Sequence, residues 1–196
     1  MRFKLFNRLI ILRNPVKVVR LPEVTTVGIT NRTEDGYFVL FLDYDKVEYN
    51  VVRDDIDFLQ KNYDIGTVIT RITSSYNYKG DVEVGNYHVV AFTKFTFPEI
   101  KEMLRLTRCD DHFKVAYRYQ QRCWVLRIGE KIDENGNIVK PFTLLREIVP
   151  FKTKRVANRG FIEFFEKLDG VQLKKYFGKN IDNYTKIELI HYVTKR

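Results

Sequence analysis

The sequence contains one stretch that predicts a buried core strand, Tyr37-Phe38-Val39-Leu40-Phe41-Leu42-Asp43-Tyr44-Asp45. The run of six apolar or aromatic residues is short, rich in β-forming residues, and preceded by a turn signal at Glu34-Asp35-Gly36. Residues two apart on a strand lie on the same face of a sheet. We therefore expect Asp43 and Asp45 to lie side by side at the carboxyl end of this strand.

Two neighbouring carboxylates repel each other and are costly to bury unless a positive charge lies between them. A divalent cation supplies that charge. Hard oxygen ligands of this kind favour Mg²⁺ or Mn²⁺, with substrate phosphates in the remaining coordination positions. The motif therefore makes Asp43 and Asp45 candidate metal ligands. The alternative is that the strand ends at Leu42 and that both acids are solvated loop residues.

The composition fits one folded core, with or without a small appendage, because the chain has 196 residues of which 44% are hydrophobic and 14% aromatic. The net charge of +9 favours polyanionic partners, either nucleic acid or nucleotide phosphates, although a basic surface can also serve solubility alone. The two cysteines, Cys109 and Cys123, match neither a zinc pattern nor a disulfide framework. No apolar run approaches the length of a membrane span. We therefore expect a cytoplasmic protein that does not enter a membrane.

The order of predicted elements from Tyr37 to Ile128 is strand, helix, strand, strand, helix, strand. This order is typical of the split β-α-β of RRM and ferredoxin-like folds, an α+β architecture. The first and third strands are neighbours there, and helices cover one face and leave the other open. The predicted strands are Tyr37–Asp43, Gly66–Thr73, Glu83–Thr93, Phe113–Tyr119 and Arg122–Ile128, with helices over 53–63 and from Phe97 onward.

This topology brings Asp43 and Asp45 next to His88 on the third strand. If the last strand flanks the first, it adds Arg127, with Lys131 just beyond. The acids would hold metal, while the imidazole and the cations would hold a triphosphate. A histidine on a strand can equally be a satisfied core residue.

The remaining segments predict an extra N-terminal hairpin and a C-terminal appendage. Val24–Asn31 is expected to pair with the first core strand. Residues 1–22 before it are a basic arm that binds nucleic acid or, as we slightly prefer, an edge strand with a solvated face. Asn135-Gly136 predicts a type I′ hairpin turn. We expect a core over residues 1–150 and a basic helical appendage over 151–196. Further expected features are helices at Phe161–Leu168, Val171–Phe177 and Lys186–Thr194, a polar loop from Ser74 to Gly80, and Asp54, Asp55 and Asp57 in the first turn of the first helix.

These motifs resemble the catalytic core of the archaeo-eukaryotic primase superfamily, the primase-polymerases. That family carries hydrophobic residues before Asp-x-Asp or Asp-x-Glu, then Ser-x-His, then a later acid after a hydrophobic residue. Phe41-Leu42-Asp43-Tyr44-Asp45 is similar to the first motif, and Asn86-Tyr87-His88-Val89-Val90 to the second, within residues 37–131. The resemblance implies an RRM-like catalytic half, a pair of divalent metals, and nucleotidyl transfer from nucleoside triphosphates in DNA replication. An archaeal, viral or plasmid origin is compatible with it.

The resemblance also implies site residues. Asp43 and Asp45 become catalytic metal ligands, and His88 contacts the triphosphate. Asn86 stands where the family usually has serine, which alters that phosphate contact. The nearest candidates for the third acid are Asp110 and Asp111, although a solvated turn explains them equally well.

Two other functions use the same features. Glycosyltransferases use Asp-x-Asp after a hydrophobic strand to hold a metal and a nucleotide-sugar. However, they usually have a sizeable nucleotide-binding region before it, and only about forty residues precede Asp43 here. A non-catalytic RRM-like protein, or degenerate primase, would bind single-stranded nucleic acid by stacking bases on aromatic residues. The candidates for stacking are Tyr76, Tyr78, Tyr117 and Tyr119.

Overall fold

A computed structural model describes residues 9–11, 24–78, 82–118, 122–133, 135–183 and 189–194. Within these residues the chain folds into two antiparallel sheets and four α-helices, which confirms the predicted α+β class. The strands are β1 (Leu9–Ile11), β2 (Val24–Thr30), β3 (Phe38–Glu48), β4 (Val68–Tyr78), β5 (Val82–Phe95), β6 (Val125–Arg127), β7 (Lys131–Ile132), β8 (Ile138–Lys140), β9 (Leu144–Val149) and β10 (Leu189–Thr194). The helices are α1 (Tyr49–Tyr63), α2 (Phe97–Leu106), α3 (Asp111–Val115) and α4 (Arg159–Asp169).

The second sheet carries the predicted core, with its strands in the order β3-β5-β4-β9. The first and third strands of the predicted motif, β3 and β5, are therefore neighbours as expected. Their antiparallel register places Asp43 directly opposite His88. Residues opposite each other in such a pair lie on one face of the sheet, so the fold brings these two side chains together.

The first sheet has the order β1-β10-β2-β7-β8, and β6 also pairs with β2. The expectation that the last core strand flanks β3 is therefore wrong, because β6 belongs to this other sheet. The N-terminal hairpin is also only partly formed. A turn closes between Thr33 and Gly36, and Arg32 bridges to Phe38, but β2 and β3 then enter different sheets.

The buried side chain of Asn31 joins the two sheets at this point. Its Nδ2 donates to the carbonyl oxygen of Val39 on β3 at 2.9 Å, and its Oδ1 accepts from the backbone N–H of Trp124, before β6, at 2.9 Å. The backbone of Asn31 repeats both connections, at 2.9 Å to Val39 and 3.0 Å to Trp124. One residue thus connects the end of β2 to both strands and brings β6 close to β3.

Helices cover both faces of the second sheet, which corrects the prediction of an open face. On one face, Tyr44 of β3 donates to Asp55 of α1 at 2.9 Å. On the opposite face, the buried side chains Phe161 and Phe165 of α4 pack edge-on against Phe41 and Phe92, with ring centroids 5.9 Å apart in each pair. The apolar stripe of α4 needs a partner, and the sheet supplies it.

Two predicted elements have the wrong type. Phe113–Tyr119 was expected as a strand, but residues 111–115 form α3, followed by a 3₁₀ turn over Ala116–Arg118. Asp110 favours the helix because its Oδ1 accepts from the backbone N–H of Phe113 at 3.0 Å. The described part of the expected helix over Lys186–Thr194, Leu189–Thr194, is in fact β10, which pairs with β1 and β2. Its β-branched and aromatic residues suit a strand, and the decisive partner lies more than a hundred residues away.

Other local predictions also need correction. The loop expected from Ser74 onward is strand through Tyr78. The acids expected in the first turn of α1 lie further along it, because the helix begins at Tyr49. Gly136 has φ 85°, and its N–H donates to the carbonyl oxygen of Asp133 at 3.0 Å. Gly136 is therefore the last residue of this turn and not one of its two central residues, as the predicted type I′ turn at Asn135-Gly136 requires. Residues 171–177 contain a 3₁₀ turn at Lys174–Tyr176 rather than an α-helix.

The remaining sequence predictions concern the basic arm, the division of the chain and the membrane. The residues of the basic arm fall outside the described part of the chain, apart from those of β1. The division of the chain at residue 150 stays a prediction. None of the helices in the described residues has the length and apolar character needed to cross a membrane.

We predict that Asn31→Ala lowers the free energy of unfolding by about 2–4 kcal/mol, because the N–H of Trp124 and the carbonyl of Val39 each lose a buried partner. Urea unfolding followed by the fluorescence of Trp124 measures this. Asn62→Ala is the control, because exposed Asn62 also donates to a carbonyl, that of Phe58 at 2.7 Å. Equal effects of the two substitutions would contradict the role of Asn31 as a junction.

Candidate active site

Asp43 and His88 form the centre of the candidate site. Nε2 of His88 lies 3.3 Å from Oδ1 of Asp43, and the two side chains are 5% and 29% exposed. His88 is therefore almost fully buried, while Asp43 reaches solvent. The other ring nitrogen of His88, Nδ1, is buried and has no hydrogen-bond partner among the described residues.

Asp45 lies next along the strand, and the alternative in which β3 ends at Leu42 is wrong. The strand continues to Glu48, with an irregularity between Tyr44 and Val47. Lys46 has φ 57° at this irregularity, and its backbone N–H donates to Oδ1 of Asn86 at 2.7 Å. Asn86, expected as a phosphate contact, thus uses its carboxamide oxygen to fix the backbone just after Asp45.

Asp110 joins this cluster through its backbone. Its N–H donates to the carbonyl oxygen of Asp43 at 2.7 Å, and its charge acts on the carboxyl of Asp45. Asp111 does not join, because its exposed carboxylate pairs with Lys114 at 2.9 Å. Of the two candidates for the third acid, the structure therefore places Asp110 beside Asp43 and Asp45.

An ion pair between Arg108 and Asp55 holds the segment that carries Asp110. Nε of Arg108 donates to Oδ1 of Asp55 at 2.9 Å, and its backbone N–H donates to Oδ2 at 2.7 Å. Asp55 is buried on α1 and also accepts from the hydroxyl of Tyr44. The segment after α2 is thereby anchored next to β3.

Three cations of the first sheet act electrostatically on the acids. Arg127 is buried on β6, and its Nη1 donates to the carbonyl oxygens of Gly129 at 2.7 Å and Pro141 at 2.8 Å. Lys131 and Lys140 are half-buried and lie directly opposite each other on β7 and β8. Among the described residues, neither lysine forms an ion pair with a carboxylate within 4.0 Å. Like charges opposite each other are unfavourable in a sheet, so this pair has excess positive charge to offer an anion.

The pKa shifts show that these groups act on one another. Burial would raise the pKa of the Asp43 carboxyl, but the charge and hydrogen bond of His88, with Arg127 and Lys140, lower it below its usual value. Burial and the charges of Asp43 and Asp110 raise the pKa of Asp45 against the attraction of Lys140 and His88. Burial lowers the pKa of Lys131, as do the neighbouring charges of Lys140 and Arg127.

Sequence reasoning missed Lys140, Arg108 and Asp55. Lys140 could have been found, because the predicted turn at Asn135-Gly136 pairs the residues on either side and so sets Lys140 against Lys131. Arg108 and Asp55 gave no comparable signal. Their contact joins α1 to the segment after α2, and its formation depends on the whole fold.

Two further expectations concern metal and stacking. No group of three or more His, Cys, Asp or Glu side chains stands ready to hold a metal in the residues that the structure describes. The donors that suit Mg²⁺ or Mn²⁺ are nevertheless the carboxylates of Asp43, Asp45 and Asp110. Among the stacking candidates, Tyr117 packs against Phe97 and Trp124, with centroids 5.3 and 5.0 Å apart, and Tyr119 lies outside the described residues, as do the side chains of Tyr76 and Tyr78.

Comparison with family models, curated proteins and solved structures found no match for this chain. A fold of this class hosts many unrelated functions. The function is therefore inferred from the chemistry of the side chains at the site.

The two acids should affect stability in opposite directions. A lowered pKa means that ionised Asp43 stabilises the fold above its unfolded pKa of about 4, and that this contribution is lost as the pH falls through the folded pKa. A raised pKa means that ionised Asp45 destabilises the fold, with no effect at a pH below both pKa values. We predict that Asp43→Asn lowers the free energy of unfolding at pH 7 by about 1–2 kcal/mol. Asp45→Asn should raise it by up to about 1 kcal/mol, the small value expected for an exposed group.

Thermal or urea unfolding at pH 7 and at a pH below about 4 measures both effects. Both differences from the unsubstituted chain should shrink at the acidic pH. Asp111→Asn is the control, since its exposed carboxylate lies outside the cluster. A loss of stability in Asp45→Asn at pH 7 would contradict the repulsion between these acids.

Proposed function

We propose that this protein is a metal-dependent nucleotidyltransferase of the primase-polymerase kind, acting on nucleic acid with nucleoside triphosphates. The observation that supports this most is the pairing of Asp43 with His88, beside Asp45, with the charges of Arg127, Lys131 and Lys140 acting on the acids. Acids suited to a divalent cation and cations suited to phosphate thus lie within electrostatic reach of each other. In this proposal the protein works in the cytoplasm and its partners are template, primer and nucleotide.

Asp43, Asp45 and Asp110 would hold Mg²⁺ or Mn²⁺. Bound metal would neutralise charge on the triphosphate and on the attacking oxygen. His88 holds the carboxylate of Asp43 in place, because its Nε2 faces Oδ1. Its direct contact with the triphosphate stays a prediction.

The cations would bind the phosphates. Lys131 and Lys140 present ammonium groups that carboxylates among the described residues leave unpaired, while Arg127 is fixed by backbone carbonyls and contributes its charge. A phosphate group placed between the two lysines would relieve their repulsion. Asn86 then acts by shaping the backbone after Asp45.

In the proposed reaction, a 3′-hydroxyl oxygen of nucleic acid forms a bond to the α-phosphorus of the triphosphate. The bond between the α-phosphorus and the bridging oxygen breaks, and pyrophosphate leaves with that oxygen. The proton of the attacking hydroxyl passes to solvent water, because the carboxylates of Asp43 and Asp45 are committed to the metal in this proposal.

One observation favours a second candidate, a non-catalytic nucleic-acid-binding protein. Oδ1 of Asp110 already accepts from the N–H of Phe113, and no ready group of three metal donors exists in the described residues. The cations alone would suffice for binding phosphates. A glycosyltransferase would use the same acids with a nucleotide-sugar.

Calorimetric titration of dATP and of GTP, with Mn²⁺ and then with EDTA, separates these functions. We predict Mn²⁺-dependent binding that Asp43→Asn weakens at least tenfold, because the substitution removes a charged ligand. Asp111→Asn should bind like the unsubstituted chain. A primer-extension assay then tests transfer, and UDP-glucose in place of dATP tests the glycosyltransferase.

Three results would count against the proposal. Equal binding in Mn²⁺ and EDTA would indicate phosphate binding without metal. Preference for UDP-glucose would favour the glycosyltransferase. Extension of a primer by Asp43→Asn at an undiminished rate would place the catalytic metal elsewhere.

A further inference from the structure

Phe142 is an exposed aromatic residue held between two anchored neighbours. Its side chain is 53% exposed. The carbonyl oxygen of Pro141 accepts from Nη1 of Arg127 at 2.8 Å. On the other side, Oγ1 of Thr143 accepts from Nε of Arg71 at 2.8 Å, and its carbonyl accepts from Nη2 of the same arginine.

The two arginines that anchor this segment are themselves buried. Arg71 is 1% exposed, pairs with Asp169 at the end of α4, and lies opposite His88 in the sheet. Arg127 is buried on β6. The backbone on either side of Phe142 is thus fixed by two residues of the core, so a ligand that contacts the ring meets a preorganised surface.

Phe142 adjoins two of the cations of the candidate site. Lys140 precedes it by two residues, and the carbonyl oxygen of the adjacent Pro141 accepts from Arg127. Ile138, Val139 and Leu144, which are close to Phe142 in the sequence, are also exposed. Proteins bind single strands with an exposed aromatic ring next to cations, because bases stack on the ring and phosphates contact the cations.

We propose that Phe142 is a stacking platform for a base of single-stranded nucleic acid, with the adjoining phosphates at Lys140 and Lys131. This inference rests on the proposed function, and it specifies that single-stranded nucleic acid lies along the site. The positive charges of Lys140 and Lys131 complement the phosphates of nucleic acid, which favours a nucleic-acid strand as the ligand of this surface. A second copy of the chain, docked symmetrically on the same surface, would bring Lys140 and Lys131 against their own equivalents.

The test uses an oligothymidylate of about twelve nucleotides in EDTA, so that binding needs no metal. Phe142→Trp supplies a reporter, because the only tryptophan in the chain, Trp124, is fully buried. Stacking of a base should quench the fluorescence of the introduced indole, and the unsubstituted chain gives the background. Fluorescence anisotropy of the labelled oligonucleotide measures affinity.

We expect Phe142→Ala to weaken binding by about tenfold or more, the range that loss of one stacked base produces. Phe142→Tyr should keep the affinity, because it keeps the ring. Phe58→Ala is the matched control. Phe58 is 41% exposed but lies on α1 beside Asp54 and Asp57, where phosphates are repelled.

Binding by Phe142→Ala within twofold of the unsubstituted chain would overturn the platform, as would an introduced indole that is not quenched. Quenching by dATP but not by the oligonucleotide would also overturn it, because the ring would then stack on the base of the nucleotide. If Phe142→Ala sediments differently from the unsubstituted chain but binds the oligonucleotide equally well, the platform is also overturned, because the ring then contacts a second copy of the chain.

Asp43→Asn separates this inference from the proposed function. The variant should bind the oligonucleotide in EDTA at least as well as the unsubstituted chain, because it loses a negative charge near the strand. If Asp43→Asn loses nucleotide binding and Phe142→Ala does not lose oligonucleotide binding, only the platform fails. If nucleotide binding shows no metal dependence while Phe142→Ala binds the oligonucleotide weakly, only the transferase fails.

Discussion

The antiparallel register of β3 and β5 is the constraint on which the candidate site depends. It sets Asp43 opposite His88, and a shift of β3 by one residue would turn Asp43 away from His88 to the face that α1 covers. The buried residues on either side of Asp43, Leu42 and Tyr44, oppose such a shift because they pack on that face. The packing of the hydrophobic core, more than the polar pair itself, therefore fixes the register that places Asp43 beside His88.

The second sheet supplies only half of the site, and Asn31 connects it to the other half. By bonding both Val39 and Trp124, Asn31 brings β6 beside β3, although the two strands do not pair. The charges of Arg127, Lys131 and Lys140 then act on the acids from the first sheet. Asp43 and Asp45 repel each other, as do Lys131 and Lys140. A metal bound by the acids and a phosphate bound by the lysines would relieve both repulsions.

The sequence predicted what local patterns control. The strand that carries Asp43, the alternation of strands and helices, and the adjacency of β3 and β5 followed from periodicity and topology rules. It failed where distant partners decide. Residues 189–194 form a strand because β1 and β2 accept them, and β6 pairs with β2 because Asn31 holds it there. Asp110 was named as a candidate, but its choice over Asp111 needed the hydrogen bond to the carbonyl of Asp43.

The central claim is that Asp43 and Asp45 bind a divalent cation together with a nucleotide. Crystals grown with Mn²⁺ and a non-hydrolysable analogue of dATP would test it most directly, by anomalous diffraction at the manganese edge. The account predicts an anomalous peak bonded to oxygens of Asp43 and Asp45 at about 2 Å, with the phosphates toward Lys131 and Lys140. A nucleotide bound at the lysines with no manganese at these acids would contradict it.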